Sequence, residues 1–231
     1  MRLTVASYNI HKAVGTDGIR DPARILAVID ELEADIVALQ EVDRRFGQRL
    51  AVLDRAALAQ RGWQVASVPL LPGSLGWHGN ALLVRRGLAI CSVEPVRLPA
   101  LEARGALRAL VAGPGDSRLC VTAMHLDLTG LRRRGQVRAL CAAARTDGLP
   151  AVMLGDCNEW SVRAGGLGAL AEGWQVLTPG PSFPARRPLL ALDRVIHSRH
   201  WRCSDHGVHA SALARRASDH LPVRAVLDLS H

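Results

Sequence analysis

The chain reads as an α/β protein, a mixed α/β sandwich of two sheets with helices outside. Three observations predict this. Short apolar runs of strand composition recur from end to end, strongly helical patterns are few, and the late runs lie close together like hairpin partners. Residues 3–9, "LTVASYN", open the series and stop at the polar loop "HKAVGTDG". In "DPARILAVIDELEAD", Asp21 is placed to cap a helix, Pro22 to start it, and Ile25, Ile29 and Leu32 to share one face. "IVALQ" (36–40) then closes a β-α-β unit. Further strands are expected at 80–86, 107–113, 118–126, 151–155, 192–198 and 222–229. An arginine-studded helix over 131–145 should turn Leu131, Val137, Leu140 and Ala144 inward. Segments 69–79, 161–187 and 199–217 read as Gly-, Pro- and Arg-rich loops.

With 231 residues, 48% of them hydrophobic, the chain can bury one large core, and no linker divides it, so a single domain over 1–231 is expected. Lys and Arg number 29 against 21 Asp and Glu, a formal net charge of +8, and Lys12 is the sole lysine. Arginine grips oxyanions through a planar fork, so this balance favours phosphate-bearing partners, with genomic base composition as the other source of the bias. Cys91, Cys120, Cys141, Cys157 and Cys203 are scattered and form no CxxC pair. That argues against a disulfide framework and a zinc site, and for a reducing cytoplasm. Nothing resembles a signal peptide or a run of ~18 apolar residues, so a soluble monomer without stable membrane insertion is expected.

The polar residues fall in a telling place. Asn9, Glu41, His125 and the pair Asp156 and Asn158 each sit at the carboxyl end of a different expected strand, where α/β sheets gather their ligand sites. Asp193 and Ser218-Asp219-His220 precede two later strands, and reach the same rim if those strands run antiparallel to the others. Carboxylates crowded there need a cation or an imidazolium among them. Oxygen-rich, cysteine-free ligation favours Mg²⁺, or Mn²⁺, which would polarise a phosphoryl oxygen while a histidine or carboxylate orients water.

The motifs "SYNIHK" (7–12), "ALQEVD" (38–43), "HGNALLVRR" (78–86), "MHLDL" (124–128), "LGDCNEW" (154–160), "LDRVIHS" (192–198) and "ASDHLPV" (217–223) occur in the order found in the endonuclease/exonuclease/phosphatase superfamily. The chain resembles that family from residue 5 to 228, and its small bacterial YbhP-like members more closely. The resemblance implies a DNase I-like, four-layer α/β sandwich: two packed mixed β-sheets flanked by helices. It further implies a metal-dependent hydrolase of phosphoric esters. Glu41 would be the main metal ligand, with Asn9 and Asp219 near the ion; Asp156 would orient or deprotonate water; Asn158 would hold a phosphate oxygen. His220 would donate to the phosphate or act as acid or base, its tautomer fixed by Asp193, and His125 would lie near the phosphate. Cys157 and Arg194 depart from the usual pattern, and Cys157 reads as a packing residue.

Candidates for substrate recognition are His78, Asn80, Arg104, Arg133 with Gln136, and Arg187; loop-structuring contacts are an equal alternative for any one of them. The substrate is an anionic phosphate ester: small molecule, phospholipid or nucleic acid. Only 3% aromatic residues and dispersed arginines put a small or lipid-linked phosphate ahead of DNA or RNA. "PLLPGSLGW" (69–77) would serve as an apolar lip in a lipid-directed enzyme, or pack as a loop. A non-catalytic phosphate-binding module is disfavoured because all eight rim positions are intact.

Overall fold

The structure, a computed structural model, describes residues 1–99, 104–144, 148–161 and 165–230. Among these residues, twelve strands form two six-stranded mixed sheets. The first runs β11 (Trp201–Val208), β12 (Val223–Leu229), β1 (Arg2–Asn9), β2 (Ile36–Gln40), β4 (Ala81–Arg85), β3 (Trp63–Ala66). The second runs β5 (Ala89–Val96), β6 (Gly105–Ala112), β7 (Arg118–His125), β8 (Ala151–Asp156), β10 (Asp193–Ser198), β9 (Trp174–Leu177). Each has one parallel pair at its centre, β1 with β2 and β7 with β8, and all other neighbours are antiparallel. A parallel pair needs a long crossover, which α1 (Pro22–Glu31) and α3 (Gly130–Ala144) supply. Helix α1 begins as its sequence predicts: the Asp21 side chain accepts from Arg24 N at 3.1 Å, and Ile25, Ile29 and Leu32 are buried.

Strand alternation builds the layers. Val5, Val121, Val152, Leu154 and Val195 fill the space between the sheets. Ala6, Tyr8 and Leu39 face the α1 side, and Met124, Met153 and Ile196 the α3 side. Each such Val or Leu contributes about 1.5–3 kcal/mol on burial. At Gly155 the sheet admits no side chain, because a Cβ there would lie 1.9 Å from the Met124 carbonyl oxygen.

Three expectations need correction. Segment 199–217 holds β11 and the short α4 (Ala212–Ala217) rather than a loop; β11 lies at a sheet edge and keeps exposed Arg202, Ser204, Asp205 and His206, which hides strand character in the sequence. Segment 161–187, of which 162–164 lie outside the described residues, contains the edge strand β9. In α3 the inward stripe is Arg133, Val137, Leu140 and Ala144 with Gln136 and Cys141, whereas Leu131 is 85% exposed. Residue 145, expected to end this helix, lies outside the described residues. Three further elements had no counterpart in the sequence reading, α2 (Arg55–Gln60) and the edge strands β3 and β5.

Candidate active site

The register of the strands explains why so many polar side chains meet at one rim. Asn9 pairs with Gln40, His125 with Asp156, and Asp193 with Asp156. Because β10 and β12 run antiparallel to their neighbours, their starts join the carboxyl ends of β1, β2, β7 and β8. Parity then chooses the face. Asn9 follows Val5, His125 follows Val121, and Asp156 follows Leu154 in the inward-pointing series, so all three are delivered to the seam between the sheets. Glu41 falls one residue beyond β2 and would point outward, but its φ of +60° turns the chain. Gly79, itself at φ +79°, makes room for that turn, with the Glu41 Cα 3.4 Å from where a Cβ would stand.

Asp156 and His220 form the centre. Asp156 Oδ2 accepts from Asn9 Nδ2 at 3.1 Å and lies 3.3 Å from His125 Nε2 and 3.7 Å from His220 Nε2. On its other side, His220 Nδ1 lies 3.0 Å from Asp193 Oδ2, which also accepts from Ser182 Oγ at 2.6 Å. The Phe183 ring tilts against the imidazole at 4.8 Å. Burial works against an imidazolium here, but Asp193, Asp156 and Asp219 outweigh it and lift the His220 pKa to about 10. Burial likewise opposes ionisation of Asp156, yet His220 and His125 hold its carboxyl well below the usual range. In this arrangement an imidazolium and a carboxylate favour one another. Since 3.7 Å exceeds hydrogen-bond length, Nε2–H of His220 is not engaged by Asp156.

Beside this centre, Lys12 Nζ donates to Glu41 Oε2. Burial would raise the Glu41 pKa, but His125, Lys12 and His11 lower it overall. Arg104 Nη1 meets the same Nε2 of His125 that faces Asp156, so this nitrogen serves one of them at a time. Asp219 is half-exposed, 3.9 Å from His11 Nδ1. A cleft of about 90 Å³ opens from Glu41, His125 and Arg104 and is lined further by Lys12, Asp43, Arg44, Arg45, Arg49, His78 and Gly79.

The sequence model described as the "Endonuclease/Exonuclease/phosphatase family" matches residues 6–220. The chain belongs to this family. A search of curated proteins finds no match. Among solved structures, the chain is similar to an endonuclease/exonuclease/phosphatase from Beutenbergia cavernae, with 25% identity and a TM-score of 0.75 over 99% of this chain and 72% of the other. It is also similar to one from Bacteroides vulgatus, with 18% identity and a TM-score of 0.80 over 100% of each chain. A third is the mannosyl-6-phosphatase of Bacteroides thetaiotaomicron, with 18% identity and a TM-score of 0.74 over 98% of this chain and 100% of the other.

Within this family member the remaining predicted residues divide. His78 reaches the cleft. Asn80 is buried and donates to Trp77 O, His78 O and Gly105 O, so it fastens the turn before β4 to β6. Arg133 is a fold residue: its guanidinium lies buried against Glu159, at 3.1 and 3.2 Å, and donates to the carbonyls of Asp127 and Leu128. Gln136 bridges Asp127 N and Pro99 O. Arg187 is exposed and outside the cleft lining. Asn158 does not extend β8 as alternation would have it. The strand stops at Asp156, Asn158 takes φ +47°, and its Nδ2 donates to Leu126 O at 2.9 Å. Cys157 is buried, as expected. Glu159 is 1% exposed and accepts from Gly166 N at 2.7 Å. The sequence reading missed Ser182, Arg44, Arg45 and Arg49; "DRRFGQR" directly after the "QE" motif was the available signal for the arginines.

Proposed function

We propose that this chain is a Mg²⁺- or Mn²⁺-dependent phosphoesterase that hydrolyses a phosphodiester or phosphomonoester by in-line attack of water, on a small or lipid-linked phosphate. The observation that carries the reading is the placement of His220, with Nδ1 3.0 Å from Asp193 Oδ2 and Nε2 3.7 Å from Asp156 Oδ2, beyond hydrogen-bond length, so that Nε2 can address a phosphate oxygen. Its N–H donates to a non-bridging phosphate oxygen, anionic Asp156 orients the attacking water, whose proton is lost as its oxygen bonds to phosphorus, and the ester oxygen leaves in line and takes a proton from solvent. The Asn9 amide fixes the Asp156 carboxylate. Arg104, which meets His125 beside Asp156, would add a donor for the charge that accumulates on the phosphate in the transition state.

Among the described residues, no three His, Cys, Asp or Glu side chains cluster closely enough to hold a metal alone. Glu41, with Asn9 on the neighbouring strand and Asp219 at the rim, fits a hard ion that takes one or two carboxylates and keeps most of its water, as Mg²⁺ does. Bound there, such an ion would supply Lewis acidity toward the phosphoryl oxygens.

A structural relative named as a mannosyl-6-phosphatase supports a small phosphate substrate. The basic cleft favours nuclease action as a second reading, since a nucleic-acid backbone also seeks arginines. The test is purified protein with Mg²⁺ or Mn²⁺ against p-nitrophenyl phosphate, bis-p-nitrophenyl phosphate, phospholipids and plasmid DNA, with EDTA controls. Metal-dependent turnover of one of the first three, lost in His220→Ala and Asp156→Ala, is expected. Turnover of DNA alone selects the second reading, and no turnover of any substrate overturns both.

A further inference from the structure

We propose that the substrate carries a second anionic group besides the phosphate attacked at the rim, and that the cleft beside Glu41 is its subsite, with Arg44, Arg45 and Arg49 as the recognising side chains. This rests on the phosphoesterase reading above. The cleft is lined by five cationic side chains, Lys12, Arg44, Arg45, Arg49 and Arg104, against two carboxylates. Both carboxylates are already engaged: Glu41 by Lys12, and buried Asp43 by Leu75 N at 2.6 Å and Gly76 N at 3.1 Å. Cationic side chains thus outnumber carboxylates along the lining, and low-dielectric walls focus that surplus on an entering anion.

The arginines sit on a closed loop. Arg44 N donates to Leu50 O at 2.9 Å and Ala51 N to Gly73 O at 2.8 Å, so the segment is stapled to the 70–76 loop before any ligand arrives. His78, on the same wall, has a buried Nδ1 with no hydrogen-bond partner among the described residues. Guanidinium forks match the paired oxygens of phosphate or carboxylate, and a space of about 90 Å³ suits one such group with its waters better than a base or an acyl chain.

The test is calorimetric binding, in EDTA-containing buffer, of fructose 1,6-bisphosphate against fructose 6-phosphate and of pyrophosphate against orthophosphate. At least one probe with two phosphoryl groups should bind about tenfold or more tightly than its counterpart with one. The variant Arg44→Ala/Arg45→Ala/Arg49→Ala should bring that ratio to about two or below, with an unfolding midpoint close to that of the native protein. Ratios near one for both pairs in the native protein, or a ratio that survives in the variant, overturn the proposal. So does a twelve-residue oligothymidylate that binds the native protein more tightly than either dianion and loses that advantage in the variant. These measurements need no turnover, so the p-nitrophenyl ester assays report separately on the phosphoesterase reading.

Discussion

Replacing Asp193 by Asn removes a charge from the centre of the site while keeping its size. His220 Nδ1 lies 3.0 Å from Asp193 Oδ2, and burial alone would lower the pKa of that ring; Asp193, Asp156 and Asp219 raise it to about 10. An opposite charge at this range is worth about 1–3 in pKa, so the alkaline limb of kcat/KM, near pH 10 in the native protein, should move down by about that much. The neutral amide also relaxes the tautomer, so the rate at pH 7 should fall about 10²- to 10⁴-fold, roughly 3–5 kcal/mol of transition-state stabilisation. By linkage the same change should lower folding stability at pH 6 by about 1–4 kcal/mol, offset in part because Asp193 Oδ1 is buried without a partner and a neutral side chain relieves its desolvation. The assay is kcat/KM from pH 5 to 11 on the best ester found, with thermal unfolding alongside. An alkaline limb that superimposes on that of the native protein would refute the reasoning.

Three other outcomes are expected. Gly155→Ala should destabilise by about 3 kcal/mol in denaturant unfolding, since the new methyl would meet the Met124 carbonyl at 1.9 Å across the β7–β8 pair. Arg133→Ala should cost about 3–5 kcal/mol by stranding buried Glu159, while KM at low temperature stays near the native value; a raised KM with intact stability would return Arg133 to substrate recognition. Stability should also fall at alkaline pH. The folded-state pKa of His220 is raised, so its contribution is fully present below about 6.5 and is lost as pH rises toward about 10. His220→Ala should flatten that slope in unfolding midpoints measured from pH 6 to 10.

The central strands were legible because both of their faces are buried, which leaves continuous apolar runs such as "IVALQ" and "AVML". With those runs placed, the rim followed, since polar residues at strand ends have few other reasons to recur in phase. Edge strands were not legible: β5 carries Ser92, Glu94 and Pro95, and β11 Arg202, Asp205 and His206, residues that suit solvent and mask period-two alternation. Asn158 misled because alternation assumes extended backbone and the chain turns left-handed there. Arg133 misled because a buried ion pair has no local signature; its partner Glu159 lies in the segment after β8, 26 residues away. The cleft arginines follow the "QE" motif directly, but only the stapled loop brings them to face His78 and Arg104.

One feature of the strand order bears on how the protein is made. The first sheet is assembled from both ends of the chain, with β1 and β12 side by side at its middle, and the whole second sheet lies between them in sequence. Asn9 therefore emerges from the ribosome early and waits through more than two hundred residues for His220, which arrives only with the strand that pairs beside it. Asn9 and Asp156 can therefore be in place without His220, and the candidate site is complete only when β12 pairs with β1.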